Sequence, residues 1–436
     1  MQVVYNGLMN TVIEHATILP MTGEDSLFTG DICISGSEIS YIGPKAPASC
    51  YPAEVIDGTG YAVLPSFINA HTHASMVLMR NYKDDERNLQ DWLKQVWAIE
   101  DKLNEKDIRI SSDLAMAEMI RSGITAFADM YFMQWETAQS AIDAGIRADI
   151  GLTLFGDEAE TRHRIKDMLP GLMKFTENDL VNVSIAPHAI YTVTGESYRY
   201  GADAAKDLGL KLHTHISETR LEVDNCIAEN GKTPVSYLES LGFFKAKSIL
   251  AHGVHVTDDE MQILRQHDTT IVHCPSSNSK LGSGVARVRD LREAGVKLAF
   301  GTDGASSNNS LNMVKEINLG CMLAAATTLD TSALKPYEAL KMATIGGAQA
   351  LGLDNLVGTL EQGKKADLIM VDMGSISNTP TNNVYSALVY SSTSEDIRNV
   401  FCNGEMLMKD RRLLTINERW TKERTRRTWA DLRSRK

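Results

Sequence analysis

Phe67-Ile68-Asn69-Ala70-His71-Thr72-His73 is the stretch from which the fold is read. Tyr61 to Ile68 is an apolar run broken by Pro65, the pattern of a buried strand. It leads straight into two histidines at i and i+2. Successive strand side chains point to opposite faces, so His71 and His73 share one. Two imidazoles converging at a strand end make half of a metal site; a polar turn would carry the same two residues for no chemical purpose. The rest of the chain separates these readings.

From His71 to Asp303, strand-like runs alternate with helical stretches, the signature of βα units. Eight strands are expected, at Ala62–Ile68, Ile124–Ala128, Ala148–Leu154, Val181–Ala186, Lys211–Ile216, Ser248–Ala251, Thr270–Val272 and Val296–Phe300. Helices are expected at Ile108–Ser122, Tyr198–Leu208, Thr233–Leu241, Asp258–Gln266 and Tyr337–Leu351. Eight such units in roughly 250 residues match an α/β fold of the (β/α)8 TIM-barrel type. A doubly wound sheet is the alternative, but the Gly-rich phosphate turn of that fold is missing. Short β-type runs before Pro65 and after Ala366 predict a small antiparallel sheet begun at the N-terminus and completed by the C-terminal strands. The expected division is 1–65 and 366–410 for this sheet, 66–365 for the metal-dependent barrel, and 411–436 for a basic helical tail.

Polar residues cluster at the strand ends. Strand one ends in His71 and His73, strand four in His188, and strand five in His213 and His215 with Glu218 beyond. Strand six ends in His252, followed by His255; strand seven ends in His273 and strand eight in Thr302-Asp303. Eight of the eleven histidines belong to this set, and core histidines would not choose the same end of five strands. A catalytic zinc takes three or four protein groups and keeps a position for water. His71, His73 and His215 offer nitrogens, and Asp303 offers an oxygen from the strand beside strand one. His213 lies deeper and reads as a core residue; His255 and His273 are candidate donors that orient ligands. Two-metal barrels need a bridging group, often a modified lysine after strand four. His188 stands there instead, so one ion per chain is expected, Zn2+ with Fe2+ as the alternative.

Composition narrows the partners. The 436 residues carry a net charge of −12, which argues against nucleic acid. Residues 409–436 hold 11 Lys/Arg against 4 Asp/Glu, a run read as a solvated helix face. No apolar run approaches the ~18 residues of a membrane span, and no Lys or Arg precedes Lys45, as a signal peptide would require. The six cysteines lack C-x-x-C spacing and read as free thiols in a reducing cytoplasm.

These residues carry a resemblance. His71-Thr72-His73, His215 with Glu218, His252 and Gly301-Thr302-Asp303-Gly304 resemble the amidohydrolase superfamily in its mononuclear aminohydrolase branch. Trp92-Leu93, Ile99-Glu100-Asp101, Asp129-Met130-Tyr131-Phe132, Pro187-His188 and His273 to Gly282 are similar to the 5-methylthioadenosine/S-adenosylhomocysteine deaminases. The resemblance implies that the small sheet is a flanking β-sandwich built from both chain ends. It implies deamination of C6 of an adenosine-type nucleoside, with guanine, 8-oxoguanine, a pterin or an s-triazine as the alternative ring. It implies that Glu100 grips the ribose hydroxyls, and that Arg147 and Arg162 sit where relatives place substrate arginines, one of them reaching from a neighbouring subunit of a homo-oligomer. Trp92 either stacks on the base or packs, and His188 is a further substrate contact. In the implied chemistry, Glu218 moves the proton to ring and leaving group while His252 and Asp303 hold and deprotonate the water.

Overall fold

The computed structural model describes residues 10–85 and 89–435; expectations placed on 1–9, 86–88 and 436 lie outside the described residues. Eight parallel strands lie side by side in chain order: Phe67–Thr72, Ile124–Tyr131, Arg147–Leu154, Val181–Pro187, Lys211–Ile216, Ser248–His252, Thr269–His273 and Lys297–Phe300. We call them the first to eighth barrel strands. Nearly every residue in them is buried, as parallel strands covered by helices must be. The first and eighth strands meet through the Asp303 amide, which donates to the His71 carbonyl at 3.0 Å. The result is a nearly closed barrel whose C-terminal strand ends share one rim.

A second sheet of nine strands flanks the barrel and is woven from both chain ends. Tyr61–Pro65 pairs antiparallel with Leu368–Asp372 and parallel with Asn10–Ile18. This corrects the expected single strand Ala62–Ile68. The Ser66 amide donates to Asp367 O at 3.1 Å, while the Phe67 amide already donates to Gly123 O at 2.8 Å. The run therefore changes sheets at Ser66, just after Pro65, which has no amide hydrogen to give to either ladder. An Asn403-Gly404 turn joins Ile397–Cys402 to Glu405–Lys409, with both residues left-handed at φ 52° and 81°.

The helix expected over Tyr337–Leu351 begins at Pro336 and contains a π turn at Met342–Gly346. A Cβ on Gly346 would lie 2.4 Å from Leu298 O, and one on Gly347 2.6 Å from Ile68 Cβ. These two glycines let the helix backbone rest directly on the first and eighth strands.

The tail also differs from expectation. Glu418–Ser434 is a helix, but one face of it is buried through Thr421, Thr425, Thr428 and Leu432. Spacings of four, three and four put these on a single stripe. The helix lies antiparallel to Glu105–Arg121. Arg121 Nη1 meets Glu418 Oε2 at 2.8 Å at one end, and Arg435 meets Asp107 at the other.

Candidate active site

The barrel rim gathers the strand-end residues around one centre. His73 donates from Nδ1 to the Met130 carbonyl at 2.5 Å, and His215 donates from Nδ1 to the His188 carbonyl at 2.7 Å. A backbone carbonyl accepts only, so both hydrogens are committed and both Nε2 atoms are bare in the neutral rings. These two Nε2 atoms face each other at 3.2 Å. Asp303 Oδ1 lies 3.3 Å from His73 Nε2 and 3.5 Å from His71 Nε2. His71 Nδ1 is bound to His213 Nε2 at 2.9 Å, and its own Nε2 is buried with no hydrogen-bond partner. Lone pairs so close are repulsive unless a cation sits among them. A tetrahedral ion with bonds of about 2.1 Å needs ligand atoms roughly 3.4 Å apart, and the three measured edges straddle that value. The donor set therefore fits a divalent metal.

Electrostatics agree. Burial pushes the His71 imidazole down to about 4 and His215 well below its ordinary range, so neither ring carries a proton that would repel a cation. Burial alone would raise Asp303, but the electrostatic pull of the neighbouring His73, His252 and His71 imidazoles holds it well below the usual carboxylate range. Its second oxygen accepts from Ser277 Oγ at 2.6 Å.

Strain marks the same rim. Ser217, His252 and Asp303 are non-glycine residues at φ 49°, 75° and 56°, where most side chains crowd their own backbone. Ser217 follows the fifth strand, His252 ends the sixth, and Asp303 lies three residues past the eighth, so each left-handed step turns the chain at the rim. His252 is held by Asn278 Oδ1 at 2.8 Å from Nδ1, and its Nε2 lies 3.8 Å from Glu218 Oε2. Burial raises the Glu218 carboxyl; burial lowers His252, but Glu218, Asp303 and Asn278 together outweigh it and the net shift is upward. Acid and imidazole thus face each other across a gap longer than a hydrogen bond. Glu222, one helical turn on, accepts from the Ser217 and Glu218 amides at 2.9 and 2.8 Å and fixes that loop.

These groups form the floor of a cavity with roughly 640 Å³ of empty space. Trp92, Trp97 and Glu100 on the helix Leu89–Glu100 form part of its wall, facing Phe132, Phe155 and Leu281. Glu100 accepts from the Tyr131 hydroxyl at 2.6 Å, and burial pushes its carboxyl up to about 7 in spite of that bond. His188 stacks on Phe155, with ring centroids 4.7 Å apart. Its Nδ1 is 2.8 Å from Thr192 Oγ1, which itself donates to Ala189 O, so His188 Nε2 is free to accept.

The structure brings His71, His73, Trp92, Glu100, His188, His215, Glu218, His252 and Asp303 to this one place. It does not bring the arginines. Arg147 begins the third strand, at the end of the barrel opposite the rim, where Nε and Nη2 grip Asp367 at 2.9 and 3.0 Å and Nη2 also reaches Asn403. It is a buried latch between barrel and flanking sheet, which corrects its expected substrate role. Arg162 is exposed, bonded to Glu158 and lying over the Tyr200 ring, outside the cavity of its own chain. His255 donates to Ser283 O, and Ser283 Oγ reaches Glu218, so it acts one step further back than expected. His273 touches no ligand: burial holds it down at about 3, and both its nitrogens lack hydrogen-bond partners. Sequence reading missed Tyr131, Ser277, Asn278 and Ser283 as individual contacts. The first three stand inside the motifs at 129–132 and 273–282, which was the available signal.

The Amidohydrolase family profile matches residues 62–407. The chain is 40% identical over 411 residues to a 5-methylthioadenosine/S-adenosylhomocysteine deaminase of Moorella thermoacetica, covering 93% of this chain and 96% of that one. It is 40% identical over 372 residues to a 5'-deoxyadenosine deaminase of Methanosphaera stadtmanae, covering 84% and 87%. Among solved structures it is similar to a zinc-bound adenosine deaminase of Xanthomonas campestris, with a TM-score of 0.93, 29% identity and coverage of 98% and 99%.

Proposed function

The chain belongs to the amidohydrolase family, and from that premise we propose that it is a metal-dependent aminohydrolase converting adenosine-type nucleosides and water to the inosine analogues and ammonia. The substrate class comprises 5-methylthioadenosine, S-adenosylhomocysteine and adenosine. One observation carries the reading. A single cavity holds the bare imidazole nitrogens and Asp303 at its floor, the Glu218–His252 pair beside them, and the Glu100 carboxyl in its wall.

In this reading His71, His73, His215 and Asp303 hold one Zn2+, with Fe2+ as the alternative. Bound there, the ion supplies the Lewis acidity that makes water a nucleophile at neutral pH. His252 and Asp303 orient the water and accept its proton. Glu218 protonates the ring nitrogen next to C6 and then the departing amino group, which leaves as ammonia. Glu100 accepts from the ribose hydroxyls, Trp92 covers the base, and His188 Nε2 accepts from a polar group of the substrate. The six buried, unpaired cysteines support a reducing cytoplasm, and Met322 and Leu329, exposed on and just after one helix, support a homo-oligomer.

The test is an ammonia-release screen of the metal-loaded enzyme against nucleosides, free purines, pterins and triazines. Adenosine-type nucleosides should react fastest. Turnover of guanine, 8-oxoguanine, pterins or triazines with nucleosides left untouched would overturn the nucleoside assignment.

A further inference from the structure

Glu100 is the last residue of a helix that belongs to no barrel strand, and what holds that helix in place lies at the far end of the chain. The turn after Glu100 is short: the Leu103 amide donates to Glu100 O at 3.0 Å, and Asn104 caps the next helix. Arg435 closes on this turn. Its Nη1 donates to the Lys102 carbonyl at 2.8 Å, and Lys102 Nζ donates back to the Arg435 carbonyl at 3.0 Å. The same guanidinium forks onto Asp107, with Nη2 to Oδ1 at 2.9 Å and Nη1 to Oδ2. Asp107 is 2% exposed, and its Oδ2 also accepts the Asn104 amide in the capping box. An arginine fork fixes its carboxylate in direction as well as distance.

The chain leading into the Leu89–Glu100 helix touches the tail helix Glu418–Ser434 as well. Tyr82 packs edge-on against Trp429, with ring centroids 5.6 Å apart. Between these two contacts, Leu432 is fully buried in a cluster with Met76, Trp92, Val96 and Ile99. The tail helix thus meets the Glu100-bearing segment before it, under it and after it. Asp107 belongs to the barrel helix Glu105–Arg121, and the other contacts reach a segment that supplies Trp92, Trp97 and Glu100 to the cavity wall.

We infer that the C-terminal helix is a strap that positions the substrate-binding segment, and that Arg435 sets the place of Glu100 through Lys102 and Asp107. Arg435 is a positioning residue. It touches none of the cavity residues named above and works through the turn. The inference rests on the proposed role of Glu100 toward ribose and assigns to the tail a part in substrate specificity.

The test is steady-state kinetics with 5-methylthioadenosine on Arg435→Ala, Arg435→Lys, Glu100→Ala and the double variant, each with metal content measured. Arg435→Ala should raise KM about tenfold, a part of what a hydrogen bond to a charged group carries, with kcat within about twofold and metal content unchanged. Arg435→Lys, which keeps the charge without the fork, should fall between wild type and Arg435→Ala, and it carries the comparison alone if Arg435→Ala does not fold. The double variant should be no worse than Glu100→Ala, because Arg435 acts through Glu100. Additive losses in the double variant, or equal falls in kcat and in metal content, would make Arg435 a general stabiliser and overturn the inference. A normal KM in Glu100→Ala would instead overturn the ribose reading on which the inference stands.

Discussion

Asn69 and Thr302 are bonded to each other twice across 233 positions of sequence: Asn69 Nδ2 donates to Thr302 Oγ1 at 2.7 Å, and the Thr302 amide donates to Asn69 Oδ1 at 2.9 Å. Both side chains are fully buried. Two residues beyond Asn69 stands His71, and one beyond Thr302 stands Asp303. The pair therefore joins the two ends of the barrel directly beneath the metal-ligand candidates. Asn69→Ala leaves the buried Thr302 amide without its partner, at about 1–3 kcal/mol, while the Thr302 hydroxyl keeps its bond to the Asp303 carbonyl. Thermal unfolding should show the lowered Tm. Equilibrium dialysis should show metal affinity falling by about 10–100-fold, the scale of losing a residue that orients ligands.

Elemental analysis should find about one divalent ion per chain. His215→Ala should lose both the ion and the activity. Two tightly held ions per chain would remove the single-metal assignment, and with it the division of labour between Asp303 and His252.

Glu218→Gln keeps the shape of the side chain and its bond from Ser283, but it cannot carry a proton. Rate should fall by about 10²–10⁴-fold with metal content unchanged. Near-normal turnover would move the proton shuttle to His252.

Glu100→Ala should lower kcat/KM for nucleosides by about 10–150-fold, corresponding to the ~1.5–3 kcal/mol of hydrogen bonds to a charged group. A substrate without ribose should hardly notice the change. Equal losses for both would show that Glu100 shapes the pocket rather than reading the sugar.

The same carboxyl has a stability signature. Burial raises it from 4.5 to about 7, so between those values the folded chain keeps a proton that the unfolded chain has released. Stability from this group is therefore greatest at low pH and falls as pH rises through that window. Glu100→Gln cannot ionise and escapes the loss. Its Tm should exceed that of wild type at pH 8, by an amount on the order of 3 kcal/mol in stability, and the gap should close toward pH 4.5. A gap independent of pH would mean that Glu100 is not the titrating group.

The centre of the site was legible because barrel topology sends strand ends to one rim, so His71, His73, His215, His252 and Asp303 could be placed without knowing a single contact. Arg147 fails by the same logic. As the first residue of its strand it belongs at the opposite end, and its partner Asp367 lies 220 positions away, beyond any local pattern. The strand Ala53–Asp57 went unread because it has no fully buried residue, and its ladder partner is the distant Asn10–Glu14 run. The docked face of the tail was hidden for a related reason. It is made chiefly of threonines, which carry little apolar signal, and its partners are residues of the Glu105–Arg121 helix some 300 positions earlier.

The mixed origin of the flanking sheet has a consequence for biosynthesis. Tyr61–Pro65 leaves the ribosome early, yet its antiparallel neighbour Leu368–Asp372 is roughly 300 residues behind it. At about 5–20 residues per second that is some 15–60 s of waiting. Throughout that interval a strand with four of its five residues buried in the finished protein shows an open edge to the cell. The nascent chain must be shielded until its last quarter emerges, and a message that stops short of Leu368 releases a product with that edge uncovered.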